Sequence, residues 1–329
     1  MTTTIRDVAA RADVSPATVS RVLNGRVEVR ADLRERVLAA VAEMGYRPNG
    51  PARSLRTRAT TVFGIIITDV QNPFFTSMVR GIEDTAQRAG YSVVLANSDE
   101  DPEKEQRYLE VAAAEQMAGV VLAPAQSNSR RLETLLDRGM PVVTVDRRLR
   151  GAPVDSVTVN NHKAAHDATT HLIERGRRRI AIIAGLLKTT TGSRRLAGYK
   201  AALKEAGLPV DDELVVPADF RLEGGYAATK DLLGRARPDA LFASNNLMTI
   251  GALQALSEAG VAIPDDVAVV GFDDISWATA LRPPLTAVKQ PTYEIGCRAA
   301  ELLLDRVAGD DAPPRHLVLP AELVVRGST

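Results

Sequence analysis

A single cysteine, Cys297, excludes an intramolecular disulfide and fits a reducing compartment. No apolar run is long enough to span a membrane, and no charged-then-apolar leader opens the chain, so a soluble cytoplasmic protein without a membrane partner is expected. There is no glycine-rich phosphate loop and no nucleophile–base pair at a recognisable spacing, which argues against an enzyme and against a bound cofactor. His162 and His166 stand four apart on a predicted helix, the spacing of a zinc pair. No glutamate follows the first histidine and no third ligand is evident, so a solvated helix face is the better reading and no metal is expected. The first sixty residues contain no lysine at all, only 11 arginines against 6 acids.

The formal net charge of zero conceals a basic head of +5 on a body of −5, as suits a head that grips DNA and a body that does not. A length of 329 residues is too great for one core and suggests two or three domains.

Residues 4–24 read as two short amphipathic helices joined by a tight turn. Ile5, Val8, Ala9 and Ala12 fall on one helical face, and Thr4 with Asp7 has the form of a capping box. Ser15 can cap the second helix, with Pro16 at its first position, where a missing N–H costs nothing. Burying Val19, Val22 and Leu23 leaves Ala17, Ser20, Arg21 and Asn24 outward, a short polar surface with one guanidinium able to reach both acceptors of a guanine. This is the pattern of a helix-turn-helix. A protein-interaction module is the weaker alternative. Arg21 is the candidate base reader, with a phosphate contact as the alternative; Ser15, Thr18, Ser20, Asn24 and Arg26 suit phosphate contacts.

A third helix is expected over Ala31–Met44, burying Leu33, Val37, Leu38, Val41 and Met44, with Gly45 as its stop. The segment from Tyr46 to Arg56 has few apolar residues and reads as a linker able to form a marginal helix from Asn49, given DNA or a second copy of itself. From Thr61 onward, strand-like runs (62–67, 91–96, 119–122, 141–145, 156–159, 180–184, 214–216, 240–243, 267–272) alternate with helical segments (73–89, 102–117, 129–137, 161–174, 194–206, 224–233, 246–259). The alternation predicts two doubly wound α/β units with parallel sheets, whose ligands bind at the carboxyl ends of the strands.

The head, the linker Tyr46-Arg47-Pro48-Asn49 … Ala52-Arg53-Ser54-Leu55-Arg56, the segments Asp69–Phe75 and Gly271–Asp274, and Arg195–Tyr199 resemble the lactose-repressor (LacI/GalR) family of bacterial transcription regulators. Pro284–Thr286, Gln290-Pro291 and the ending Leu323–Arg326 extend the resemblance over essentially the whole chain. It implies a small all-α helix-turn-helix head (1–48), a hinge helix (49–60) and a body like a periplasmic binding protein. One body subdomain would take 61–160 with 292–320, the other 161–291 with 321–329. A homodimer on a pseudo-palindromic operator is also implied, without the helical tail that makes some members tetramers.

By the same resemblance, Pro16 and Ala17 occupy operator-discriminating positions, where only apolar readout is open to them, and Asn49, Ala52, Leu55 and Arg56 of the hinge approach DNA. The family's hinge leucine, here Leu55, wedges into the minor groove, and packing of Leu55 against its two-fold mate is the alternative. Gly50-Pro51 departs from the family's small-then-aliphatic pair, so hinge ordering here depends more heavily on DNA.

For the body, Phe74, Phe75, Asp146, Arg147, Phe220 and Asn245 fall in loops or helix starts after strands, Asp273 follows another strand, and Arg195 lies at a helix start. Aromatic faces against a sugar ring, with carboxylates, amide and guanidinium on its hydroxyls, would make a saccharide site. The resemblance places Asp146, Arg195, Asn245 and Asp273 at ligand-contacting positions. Core packing for the two phenylalanines and a structural cap for Asp273 are the plain alternatives. Asn246 stands where many relatives carry an acid, and Trp277 is expected at the cleft or its rim.

Together these imply a dimeric repressor of carbohydrate-use genes, responding to a small saccharide effector held between the subdomains. A global regulator controlled by a phosphorylated protein partner is the alternative. A transport protein lacks a reason for the basic head.

Overall fold

A computed structural model describes residues 4–23, 29–45, 60–127 and 132–329, and falls into two compact units, Met1–Thr60 and Thr61–Thr329. Asn24, Arg26, Asn49, Ala52, Leu55 and Arg56 lie outside the described residues.

The first unit is built from α1 (Ile5–Ala12), α2 (Pro16–Leu23) and α3 (Ala31–Glu43). Thr4 and Asp7 form the reciprocal capping box, and the chain turns at Asp13 with φ 51°. Val8, Ala9, Ala12, Val19, Val22, Val37 and Ala40 make a very small core. Polar ties supplement it: Arg36 donates to the Ala12 carbonyl at 2.6 Å, and Arg11 pairs with Glu43 at 2.7 Å. Leu38, expected inside, is 49% exposed, because it sits about 100° around the helix from buried Val37.

In the second unit, β1 (Val62–Ile67), β2 (Ser92–Asn97), β3 (Gly119–Leu122), β4 (Val142–Val145), β5 (Asp155–Val159) and β11 (His316–Leu319) form a parallel sheet in the order β11-β5-β4-β3-β1-β2. The other sheet has the order β12-β10-β9-β8-β6-β7, from β6 (Ile180–Ala184), β7 (Val215–Pro217), β8 (Ala240–Ala243), β9 (Ala268–Phe272), β10 (Thr286–Lys289) and β12 (Glu322–Val324). Only β12 runs antiparallel in it. The fold class is thus a helix-turn-helix head plus an α/β body of two doubly wound lobes. The chain passes between lobes after β5, after β10 and after β11.

Helices cover both faces of each sheet, which is why the strands are apolar throughout. On β1, Phe63, Ile65 and Ile67 face α4 (Pro73–Arg88) and α11 (Thr292–Val307), while Ile66 faces α5 (Pro102–Ala114) and the short α6 (Glu133–Asp137). In the other lobe, α7 (Asn161–Glu174) and α8 (Thr190–Glu205) cover one face, and α9 (Leu222–Arg235) and α10 (Asn246–Glu258) the other. The helix expected from Arg194 starts at Thr190, because Thr189 caps it through the Gly192 N–H. His162 and His166 do not lie on a fully solvated face. They are half-buried in α7 where it meets α8, and His166 Nε2 bonds Glu205 at 2.8 Å.

Helices α4 and α11 cross at two glycines. A Cβ on Gly296 would stand 2.1 Å from the Met78 carbonyl oxygen, and one on Gly81 would stand 2.2 Å from that of Tyr293. We expect Gly296→Ala to destabilise the protein by about 1–3 kcal/mol, since backbone rather than a flexible side chain must yield. A thermal melt matching wild type would mean the crossing can open freely.

Candidate functional site

The first unit presents α2 as its candidate nucleic-acid face. Pro16, Ala17 and Arg21 are exposed. The Ser15 hydroxyl is engaged as a helix cap, accepting the Thr18 N–H at 3.1 Å and lying 2.9 Å from the Thr18 hydroxyl. Thr18 and Ser20 are half-buried, so the side of α2 most open to a groove is the one carrying Pro16, Ala17 and Arg21.

The second candidate site is the cleft between the lobes, at the carboxyl ends of both sheets. It holds about 430 Å³ of atom-free space, part of which is open to solvent. Phe74, Phe75, Asp146, Arg195, Phe220, Asn245 and Asp273 all line it, as does Arg147. Trp277 does not; it is 38% exposed, beyond the cleft lining.

Each of these side chains is held by its element. Asn72 caps α4 by accepting the Phe74 N–H at 2.9 Å, which directs the two phenylalanines inward, edge to face at 5.0 Å between centroids. Both rings also belong to the core of that lobe, so packing and cleft lining coexist. Arg147 is clamped by Glu100 at 2.6 and 2.5 Å and by the Pro124 carbonyl at 3.0 Å. Arg195 sits over the Phe272 ring at 3.7 Å and donates to Asn161 at 2.7 Å and to the Ser244 carbonyl at 2.6 Å. Asn245 caps α10 through the Met248 N–H and donates to the Phe220 carbonyl, both at 2.9 Å. Phe220 occupies the space a side chain at residue 185 would need: a Cβ on Gly185 would lie 1.8 Å from its ring. Asp273 accepts from Gln290 and from the Asn246 N–H, so it has a structural role as well as a cleft-facing one.

Strain concentrates here. Asp146, Phe220 and Asp273 adopt φ of 64°, 66° and 70°, a region costly for residues with a Cβ and typical of ligand sites. The buried Thr68 hydroxyl has no hydrogen-bond partner among the described residues. Arg147 Nε is likewise unbonded, although it stands 3.3 Å from Asp146 Oδ2. Such orphans beside a cavity are what a ligand hydroxyl would satisfy.

Several lining residues were not singled out as candidates from sequence: Thr68, Asp69, Asn72, Glu100, Thr191, Asp219 and Arg221. Most follow a strand, which is the signal that could have found them. Some join the lobes directly. Asn246 donates to Asn72 at 2.8 Å, and Arg221 pairs with Asp69 at 3.4 Å. An acid in place of Asn246 would lose that donor, so asparagine here favours lobe closure.

Burial pushes the Asp146 carboxyl up to about 6; Arg147 and Arg195 oppose the shift, and Asp273 and Glu100 reinforce it. Below that value Asp146 carries a proton in the folded protein. A polyol donating to its carboxylate must displace that proton, so affinity should fall as pH drops. We expect roughly tenfold weaker binding at pH 5 than at pH 7.5. Calorimetry across this range checks it, and a flat profile would remove Asp146 from ligand contact.

A helix-turn-helix unit and a two-lobed ligand-binding body define the class: a ligand-responsive regulator that binds DNA. Residues 4–49 match the model for bacterial regulatory proteins of the lacI family, and residues 169–329 match a periplasmic binding protein-like domain. The chain is 36% identical to catabolite control protein A of Priestia megaterium, covering 100% of both chains. It is 37% identical to the ribose operon repressor of Escherichia coli K12, covering 99% of each. The lac repressor dimer bound to operator and the anti-inducer ONPF superposes with a TM-score of 0.88 at 26% identity, over 100% of this chain and 99% of that one. The chain belongs to the LacI family of transcription regulators. Its relatives are regulators, not enzymes. No helix among the described residues is long and apolar enough to cross a membrane.

Proposed function

We propose that this protein is a homodimeric, cytoplasmic repressor of carbohydrate-use genes whose operator affinity is set by a small saccharide in the cleft. The observation that carries the effector class is the lining itself: Phe74, Phe75 and Phe220 offer apolar faces to a sugar ring, while Asp146, Arg147, Arg195, Asn245 and Asp273 surround its hydroxyls. The relative that represses a ribose operon supports a monosaccharide of that kind. A dimer is supported by the sheet edge at β2, where Val94 and Leu95 are 49% and 41% exposed, with Val111 of α5 equally bare. The operator-bound dimer among the structural relatives agrees with it.

The mechanism is a linked equilibrium. Effector bound between the lobes favours one relative setting of the two across the dimer, and that setting changes the spacing of the hinges at residues 49–60. The effector can shift operator affinity only by its differential affinity for the two settings, typically ~1–3 kcal/mol. Selection of the purified protein on random duplex DNA, with and without ribose, tests the reading. A palindrome whose enrichment responds to the sugar supports it. A palindrome indifferent to sugars but sensitive to a captured phosphoprotein would instead favour the partner-controlled regulator. Leu55→Ala is expected to weaken specific operator binding about tenfold or more and non-specific binding far less; equal losses would remove the wedge.

A further inference from the structure

The lobes are joined covalently along one side only. The strands from which the chain crosses, β5 and β11 in one sheet and β10 and β12 in the other, lie together at one edge of each. Asp69 follows β1, Asp99 follows β2 and Arg221 follows β7, all at the opposite side of their sheets. There Arg221 Nη1 donates to Asp69 Oδ2 at 3.4 Å, and Nη2 donates to the Asp99 carbonyl at 3.5 Å and stands 3.8 Å from Asp99 Oδ1. Among the described residues, the two ion pairs that join the lobes both belong to Arg221. Local structure on each lobe aims these groups. Asp219 Oδ1 accepts the Arg221 N–H at 2.9 Å, and a Cβ on Gly224 would stand 2.0 Å from that oxygen, so this turn closes only against glycine. On the facing lobe, Asn97 accepts the Val70 N–H at 3.0 Å and donates to Asp99 at 2.7 Å. Asp99 and Glu100 both take positive φ, 55° and 59°, and that turn gives Glu100 to Arg147 and Asp99 to Arg221. Asp69 is buried and Arg221 half-buried, so the guanidinium stands at the rim of the cleft it lines. Its long side chain can swing out without moving backbone. The other ties between lobes lack that freedom: Ser127 to the Lys188 carbonyl and the Arg148 N–H to Thr190 use a main-chain group, and Asn246 to Asn72 is buried.

We propose that Arg221 is the gate of the cleft and sets the length of saccharide it accepts. Closed on Asp69 and Asp99, it bars the side away from the crossovers, so one sugar ring fits within and a second ring meets the guanidinium. A partly solvated pair of this kind is weak enough to open for entry and release. The length rule rests on the saccharide reading; the gate itself does not.

Amide hydrogen exchange of the full chain without ligand tests the gate. The buried Phe74 N–H is bonded to Asn72 Oδ1, the oxygen that also accepts from Asn246 across the cleft, so its exchange reports parting of the lobes. Peptides over residues 70–78 should exchange about fivefold faster in Arg221→Ala and measurably faster in Asp69→Asn, with the double variant matching Arg221→Ala and with Arg221→Lys near wild type. Unchanged exchange over β5, at the covalent edge, separates opening from general loss of stability. Exchange over 70–78 that is the same in wild type and Arg221→Ala, or that rises equally over β5, would overturn the gate. Calorimetry with glucose and cellobiose, one ring against two of the same kind, tests the length rule. Wild type should prefer glucose by at least about tenfold, and Arg221→Ala should narrow this to within about threefold. Equal affinities in wild type, or an undiminished preference in the variant, would overturn the rule. If neither these sugars nor ribose binds wild type or variant, the saccharide reading falls and the length rule with it, while the exchange result still decides the gate.

Discussion

Asp273→Ala should lower saccharide affinity about 100-fold while sugar-free operator binding stays within about twofold. The carboxylate is buried at the end of β9, where burial pushes it up against the opposing pull of Arg195, the Gln290 side chain and the Asn246 N–H. Two hydroxyls donating to one buried carboxylate are worth roughly 1.5 kcal/mol or more each, and ~2.7 kcal/mol corresponds to 100-fold. Alanine also strands the Gln290 amide, so some loss of stability accompanies the loss of affinity. Asp273→Asn separates the two effects, since its side-chain oxygen can still accept from Gln290 while the charge is gone. Titration of sugar into both variants is the check. Unchanged sugar affinity in both would remove Asp273 from the effector site.

The largest expected effect on stability lies away from the cleft. The Asp155 carboxylate, at the start of β5, is fully buried and receives Arg306 of α11 through two bonds of 2.8 Å and the Arg315 N–H at 2.6 Å. It ties β5 to a stretch some 150 residues later, where α11 returns through residues 308–315 to β11, which pairs with β5. Asp155→Ala would leave Arg306 largely buried without its counter-ion, at a cost of about 3–5 kcal/mol. Urea unfolding followed by circular dichroism measures this; a loss under about 1 kcal/mol would show that solvent replaces the carboxylate. Burial alone would raise the Asp155 carboxyl, but the bonds from Arg306 and Arg315 outweigh it and hold it below its ordinary value. This contribution is therefore present above the ordinary carboxylate range and lost as pH falls through the depressed value. The acid limb of unfolding should be shallower in the variant.

Much of the cleft was legible because doubly wound lobes place ligand residues just after strands. Phe74, Phe75, Asp146, Phe220, Asn245 and Asp273 were marked by that rule, Asp146, Asn245 and Asp273 also by resemblance, and the structure brings them around one cavity. Arg195 reaches the same cavity from within α8, its guanidinium steered by Asn161 and the Phe272 face. Asp69, Glu100 and Arg221 were missed because their roles are relational: Glu100 matters as the clamp on Arg147, and Arg221 as a bridge to Asp69. Such pairings span dozens to more than a hundred residues and leave no local pattern. Leu38 failed in the opposite sense, since its apolar character suggested burial that the geometry of so small a head does not provide.

The amino-acid sequence by itself determined the periodicities, caps and turns. Thr4, Asp7 and Ser15 define the helix-turn-helix, and alternating apolar runs define strands with helices on both faces. These depend on contacts within a few residues, where side-chain spacing and backbone hydrogen bonding suffice. Tertiary structure alone decided which charges meet. It set Asp146 and Asp273 near Arg147 and Arg195, and buried Asp155 against Arg306. Electrostatic partners are chosen by proximity in space and by loss of solvent, and neither is encoded in the spacing of residues along a chain.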